Sequence, residues 1–161
     1  MRMVDLFPFE QKVVLGTRHF NAEDIIRFAT KFDPQPFHVD AEAAKSYVFG
    51  GLCASGWHTC SVWMRTFLDF MAEANAKAIA EGVTPPRLGP SPGFTDLKWL
   101  KPVYAGDDIT YSLTAQNSRA LRSRPGWHLH ASVAEGMNQQ GEPVLRFVST
   151  VLEQENDNER S

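Results

Sequence analysis

The chain has 161 residues, 43% of them hydrophobic and 22% charged, the profile of one soluble globular domain able to bury a core. A formal net charge of -3 and a pI near 5.9 give no basic footprint, which argues against nucleic acid and anionic membrane surfaces as partners. No apolar run approaches the roughly 18 residues that span a bilayer, and MRMVDLFPFE carries acids where a leader needs a basic then apolar stretch, so a cytoplasmic location is expected.

The first clear element is a strand in QKVVLGTRHF. NAEDIIRFATKF follows as a helix of about three turns, with Asn21 as N-cap, Asp24 at the capping-box position, and Ile25, Phe28 and Ala29 on one face. Asp33 precedes Pro34, and a residue before proline is pushed out of the α region, so the helix ends at Phe32 or Asp33. Pro34 and Pro36 each fix φ and remove a donor, which predicts an extended, stiff turn between Asp33 and His38. Asp40 then caps a short helix in AEAAKSY, and Gly50 and Gly51 permit a bend.

From Gly56 to about Ala80 the positions Trp57, Cys60, Met64, Phe67, Leu68 and Met71 keep helical spacing, and Trp63 and Phe70 widen the stripe. Such a helix is expected to be largely enclosed. Arg65 and Asp69 can pair on its polar side. Cys53 and Cys60 read as two positions of this one helix, too far apart for a disulfide and in no metal spacing, hence small buried hydrophobes.

The loop EGVTPPRLGPSPGF is too rich in proline and glycine for helix or central strand. Beyond it, Leu97 and Trp99, then Ile109, Tyr111, Leu113 and Ala115, then Trp127, Leu129, Ala131 and Val133 alternate with polar neighbours, and Leu145, Phe147 and Val151 form a last apolar face. One long helix before a run of antiparallel strands implies an α+β hotdog domain, the helix wrapped by a curved antiparallel sheet. The domain is assigned to residues 1–152, and the polar stretch EQENDNERS, 153–161, is expected to be a frayed tail with nothing to bury. A sheet edge left to manage makes a homodimer the expected assembly, with a higher homo-oligomer left open.

The short stretch FDPQPFH places a carboxylate and an imidazole within one stiff turn. Asp33 and His38 together suit acid and base work on a single water; the plainer alternative is that one ends a helix and the other sits satisfied at the surface. FATKFDPQPFHVDAEAAKSYVFGG resembles the signature of the MaoC-like, or hydratase 2, family, whose motif runs Asp-x-Asn-Pro-x-His-x-Asp. ASGW at 54–57 is similar to the family's turn opening its central helix, and LKWLKPVYAGDD to its strand ending in Pro-Val and then Gly-Asp. The resemblance covers roughly residues 12–152.

What the resemblance implies is an acyl-thioester hydratase or dehydratase, a lyase of fatty acid metabolism that adds water to a trans-2-enoyl-CoA and gives the (R)-3-hydroxyacyl-CoA. Its catalytic groups are then Asp33 and His38, holding the water, and the Gly56 amide, polarising the thioester carbonyl. Gly56 also opens a long helix, where unpaired N–H groups favour a developing enolate oxygen. Gln35, Phe37, Phe49, Ser55 and Trp57 are the expected substrate contacts, with Trp99 a further aromatic for an acyl tunnel. Gln35 stands where the family usually has Asn, and Ser55 where it usually has His. No metal or redox cofactor is called for, coenzyme A entering as part of the substrate; whether the carrier is coenzyme A or an acyl carrier protein is open. A thioesterase on the same fold and a non-catalytic acyl-CoA-binding module are the alternatives. Arg119, Arg122 and Arg124 could meet coenzyme A phosphates, although a solvated hairpin is the plainer reading. His128 and His130 are expected to be exposed strand positions, and His58 to touch the site, cap the helix or face a partner.

Overall fold

A computed structural model describes residues 1–156. In chain order the elements are α1 (Met3–Leu6), β1 (Lys12–His19), α2 (Ala22–Phe32), α3 (Pro36–Val39), α4 (Ala41–Ala44), α5 (Gly56–Ala80), β2 (Arg87–Leu88), β3 (Gly93–Trp99), β4 (Asp108–Ala120), β5 (Trp127–Met137) and β6 (Pro143–Gln154). The described strands form one antiparallel sheet in the order β1-β4-β5-β6, with β2 and β3 lying one after the other along the far edge of β6. The sheet curls around α5, and this is the hotdog fold.

Local chemistry explains the boundaries. Asn21 accepts from the Asp24 N–H at 2.8 Å and opens α2, and Asp40 accepts from the N–H groups of Glu42 and Ala43 to open α4. The α2 helix stops at Asp33, its C-cap, before Pro34. The stretch between Asp33 and His38 differs from the expected extended turn: Pro36 takes the first position of α3, a one-turn helix that carries His38. A proline at a helix start has its φ already set and its missing N–H costs nothing, so the second proline begins helix where the first forbids it.

The core forms between α5 and the concave face of the sheet. Thr59, Trp63, Thr66, Phe67 and Met71 of α5 are buried against Tyr111, Leu113, Ala134, Leu145 and Phe147. The Tyr111 hydroxyl donates to the Thr59 carbonyl at 3.0 Å, one polar tie within this apolar layer. In β1 a bulge falls at Gly16, whose φ of +150° suits glycine and whose missing side chain admits the Thr66 methyl; an added Cβ would stand 3.3 Å from it. Arg18 of β1 reaches across to Asp69 at 2.5 Å, and Arg65 joins the same carboxylate at 2.6 Å.

Three expectations change. The central helix is only partly enclosed: Trp57, Met64 and Leu68 remain about half exposed, lining grooves left open between the helix and the sheet. Cys53 lies before α5, in a backbone bridge to Tyr104, and not in the helix. His130 is buried and His128 largely so, pointing into the concave face where each meets a carboxylate.

Those carboxylates belong to the stretch expected to fray. Glu153 is 1% exposed and sits in β6; it accepts from His130 Nε2 at 2.7 Å, the Met3 N–H at 2.7 Å and Arg2 Nε at 3.1 Å. His128 pairs with Glu155 at 2.7 Å. The expected tail therefore starts late, and its residues 157–161 lie outside the described residues. No helix among the described residues is long and apolar enough to cross a membrane.

Burial pushes the Glu153 carboxyl up, but the bonds from His130, Met3 and Arg2 outweigh it and hold the group below the usual glutamate range. A depressed folded pKa means stability that is present above the unfolded value and lost as pH falls through the folded one. Glu153→Gln is expected to lower stability at neutral pH by about 2 kcal/mol. It is also expected to flatten the loss seen below about pH 4.5, the ordinary glutamate value; chemical denaturation repeated from neutral pH down to about 3 measures both.

Candidate active site

Three helix ends meet beside the long helix. Asp33 is the C-cap of α2, Gln35 the N-cap of α3 and Ser55 the N-cap of α5. They border a cavity of about 550 Å³ whose walls include Asp33, Gln35, Phe37, His38, Phe49, Ser55, Gly56 and Trp57. All eight residues expected from the sequence thus stand on one cavity.

The His38 ring is fixed by its backbone neighbours. Its Nδ1 lies 2.6 Å from the Cys53 carbonyl oxygen; a carbonyl only accepts, so Nδ1 carries the proton and donates. The other nitrogen, Nε2, faces Asp33 Oδ2 at 3.4 Å. In the neutral ring Nε2 is an acceptor, so the two atoms together offer acceptor sites on the cavity side to one water, which can donate a proton to each.

Asp33 is itself held. Gln35 Nε2 donates to Oδ1 at 2.7 Å, and the Ser55 hydroxyl, on the same cavity, also favours the ionised carboxylate. Partial burial pushes the Asp33 pKa up, but Gln35 and Ser55, with a smaller contribution from His38, bring it below the usual carboxylate range. Asp33 is therefore ionised wherever the fold is intact near neutrality. Ser55 is fully buried, and its oxygen also accepts from the Trp57 N–H at 3.3 Å as the cap of α5.

The Gly56 N–H has no hydrogen-bond partner among the described residues, and it opens a helix of 25 residues. An unpaired donor at the positive end of a helix is suited to an oxygen that gains negative charge. Glycine is required there for space: the Trp99 indole lies against it, and an added Cβ would fall 2.3 Å from Trp99 Cε2. Trp57 and Trp99 meet edge to face at 5.2 Å.

The remaining histidines and cysteines play other parts. His58 is buried, stacked on Phe28 at 4.6 Å with Phe20 at its edge, and it does not line the cavity. Cys53 places its Sγ 3.8 Å from His38 Nδ1, yet burial pushes its thiol up to about 11, which argues against a thiolate nucleophile. The hairpin of Arg119, Arg122 and Arg124 stands at the opposite end of β4 from Asp108, with Arg124 over the Trp127 ring at 5.1 Å. Sequence reasoning missed the Cys53 carbonyl, since a backbone acceptor leaves no mark in residue type. It also missed Lys101, Pro102, Val103 and Val144 on the far wall.

The chain matches the family described as MaoC like domain over residues 8–137. It is 28% identical over 123 residues to a Bacillus subtilis (strain 168) protein named Uncharacterized protein YdeM, with 76% of this chain and 79% of the relative covered. Among solved structures, the MaoC-like dehydratase from Rhodospirillum rubrum superposes with a TM-score of 0.78 at 29% identity, covering 97% of this chain and 98% of that one. R-Hydratase PhaJ1 from Pseudomonas aeruginosa shares the fold, with a TM-score of 0.61 at 22% identity over 93% of this chain and 84% of its own.

Because the indole occupies the volume of any side chain at position 56, Gly56→Ala is expected to displace Trp99 and cost about 1–3 kcal/mol through overpacking. Tryptophan fluorescence and a denaturant titration check this: a variant with the emission and midpoint of wild type would show that the contact is not tight.

Proposed function

The chain belongs to the MaoC-like domain family, and from that premise we propose that it is an acyl-thioester hydratase or dehydratase acting on trans-2-enoyl-CoA. The observation that carries the reading is the meeting of Asp33 Oδ2 and His38 Nε2 across 3.4 Å in the cavity that also holds the Gly56 N–H. A carbonyl polariser and a water site side by side suit addition across a carbon–carbon bond conjugated to a thioester.

In this mechanism one water donates a proton to Asp33 and the other to His38 Nε2, which leaves a lone pair free to attack C3. Asp33 takes the proton as the C3–O bond forms, with His38 sharing the acid and base duties, and electrons move onto the thioester oxygen, where the Gly56 N–H receives the charge. Asp33 then gives that proton up to C2 as the enolate collapses to the 3-hydroxyacyl thioester, of (R) configuration by likeness to the family. The reverse sequence dehydrates it. The route calls on no redox cofactor or metal. Phe37, Phe49 and Trp57 supply apolar walls for the acyl group and the thioester.

We also propose a homodimer. Met64 and Leu68 of α5 and Phe94 of β3 are 46%, 52% and 52% exposed, and they accompany a β3 edge that has β6 on one side alone. A second copy covering this apolar strip would satisfy the strand edge as well.

With crotonyl-CoA, wild type is expected to bleach the enoyl-thioester absorbance, and Asp33→Asn and His38→Ala to fall about a hundredfold or more in kcat/KM. Release of free thiol without bleaching would point to a thioesterase, and silence in both assays to an acyl-binding module. Sedimentation is expected to give a dimer for wild type and a monomer for Leu68→Asp with Phe94→Asp; a wild-type monomer would refute the assembly.

A further inference from the structure

Gln35 and Ser55 line the cavity that Asp33 and His38 also border. Gln35 Nε2 meets Asp33 Oδ1 at 2.7 Å, while His38 Nε2 faces the other oxygen, Oδ2. Ser55, fully buried, has its hydroxyl oxygen occupied by the Trp57 N–H, which leaves its proton free for an acceptor on the cavity that Asp33 also borders. These are also the two positions at which the sequence departs from the motif it otherwise follows. Each departure supplies a donor to the same group.

We infer that Gln35 and Ser55 are positioning residues for Asp33, two donors at the N-caps of α3 and α5 that fix the carboxylate so that Oδ2 shares its water with His38. They are then not substrate contacts, as the sequence alone suggested. An aspartate at a helix C-cap has χ1 freedom and no side-chain restraint of its own; two donors from two other helix ends remove that freedom. Ser55 couples the two tasks, because one hydroxyl caps α5, whose first N–H groups include Gly56, and restrains Asp33. The water site and the carbonyl-polarising amide are thereby held in register through a single side chain. The donors also keep the carboxylate ionised, consistent with its lowered pKa.

The test uses Gln35→Leu, Ser55→Ala and Ser55→Thr in the full chain, with two readouts. The first is the titration of the Asp33 carboxyl by carbon NMR of labelled aspartate, identified by its loss in Asp33→Asn. The second is the split between kcat and KM for enoyl-CoA hydration. The expected result is an Asp33 midpoint at higher pH in Gln35→Leu and in Ser55→Ala, restored in Ser55→Thr. It comes with a roughly tenfold or greater loss in kcat and a KM within about twofold of wild type. An unmoved Asp33 midpoint, or a raised KM with kcat unchanged, would overturn the inference and return both residues to substrate binding. Should Ser55→Ala unfold through loss of its cap, Gln35→Leu decides alone, since the Gln35 side chain makes no cap bond. The kinetic readout rests on the proposed hydration; an inactive wild type would refute that reading while the titration still decides this one.

Discussion

Cys53 is where the parts of this molecule are joined, and it is the backbone that does the joining. Its N–H donates to the Phe37 carbonyl at 3.2 Å, its carbonyl accepts from His38 Nδ1 at 2.6 Å, and it bridges to Tyr104 before β4. One residue on, the Ala54 N–H donates to the Val103 carbonyl at 2.8 Å. The helix carrying the histidine, the entry to α5 and the segment feeding the sheet are thus pinned within two residues. The ring's tautomer follows from this clamp, and so does the direction its free nitrogen faces. A carbonyl cannot titrate, so the anchor persists at any pH at which the fold survives.

The two ends of the domain solve opposite problems. At the α5 N-terminus, donors are left over and converge on a cavity. At the other end of the concave face, charges are enclosed and consumed among themselves: Glu153 takes three donors and Glu155 a fourth, from His128. Enclosed charge of this kind is weak evidence for net stability but demands complete pairing. It ties the first residues of the chain to its last strand. Between the ends, the curled sheet and Tyr111 hold α5 at a fixed height, so the cavity inherits the rigidity of the core.

Much of this was legible because local rules act on few residues. The span of α5, the Asn21 and Asp40 caps, the stop before Pro34 and the pairing of Arg65 with Asp69 all follow from side-chain chemistry within one turn. The motif residues Asp33 and His38 could be picked out from their spacing and likeness to a family. Three things could not. How closely the sheet closes on α5 is settled by the sheet, so Met64 and Leu68 read as core yet stay half exposed in a groove between the two. The strand positions of His128 and His130 were counted correctly but turned to the wrong side, because the face they share with Ser132 and Ala134 is buried although it carries polar residues, each imidazole having a carboxylate partner from the last residues of the chain. Glu153 read as tail because two of its three partners, Arg2 and Met3, lie about 150 residues away in sequence.

The closeness of Trp99 to Gly56 links two positions that are 43 apart in the chain. An indole that rests on a bare Cα makes the order of change matter: a larger residue at 56 requires a smaller one already at 99, whereas a smaller residue at 99 leaves only an open gap beside the amide. Sequences descending from this one can therefore explore the pair only along a restricted path, and the first step on that path is at 99. Relatives with a shrunken residue at that position are where a non-glycine at 56 is to be sought.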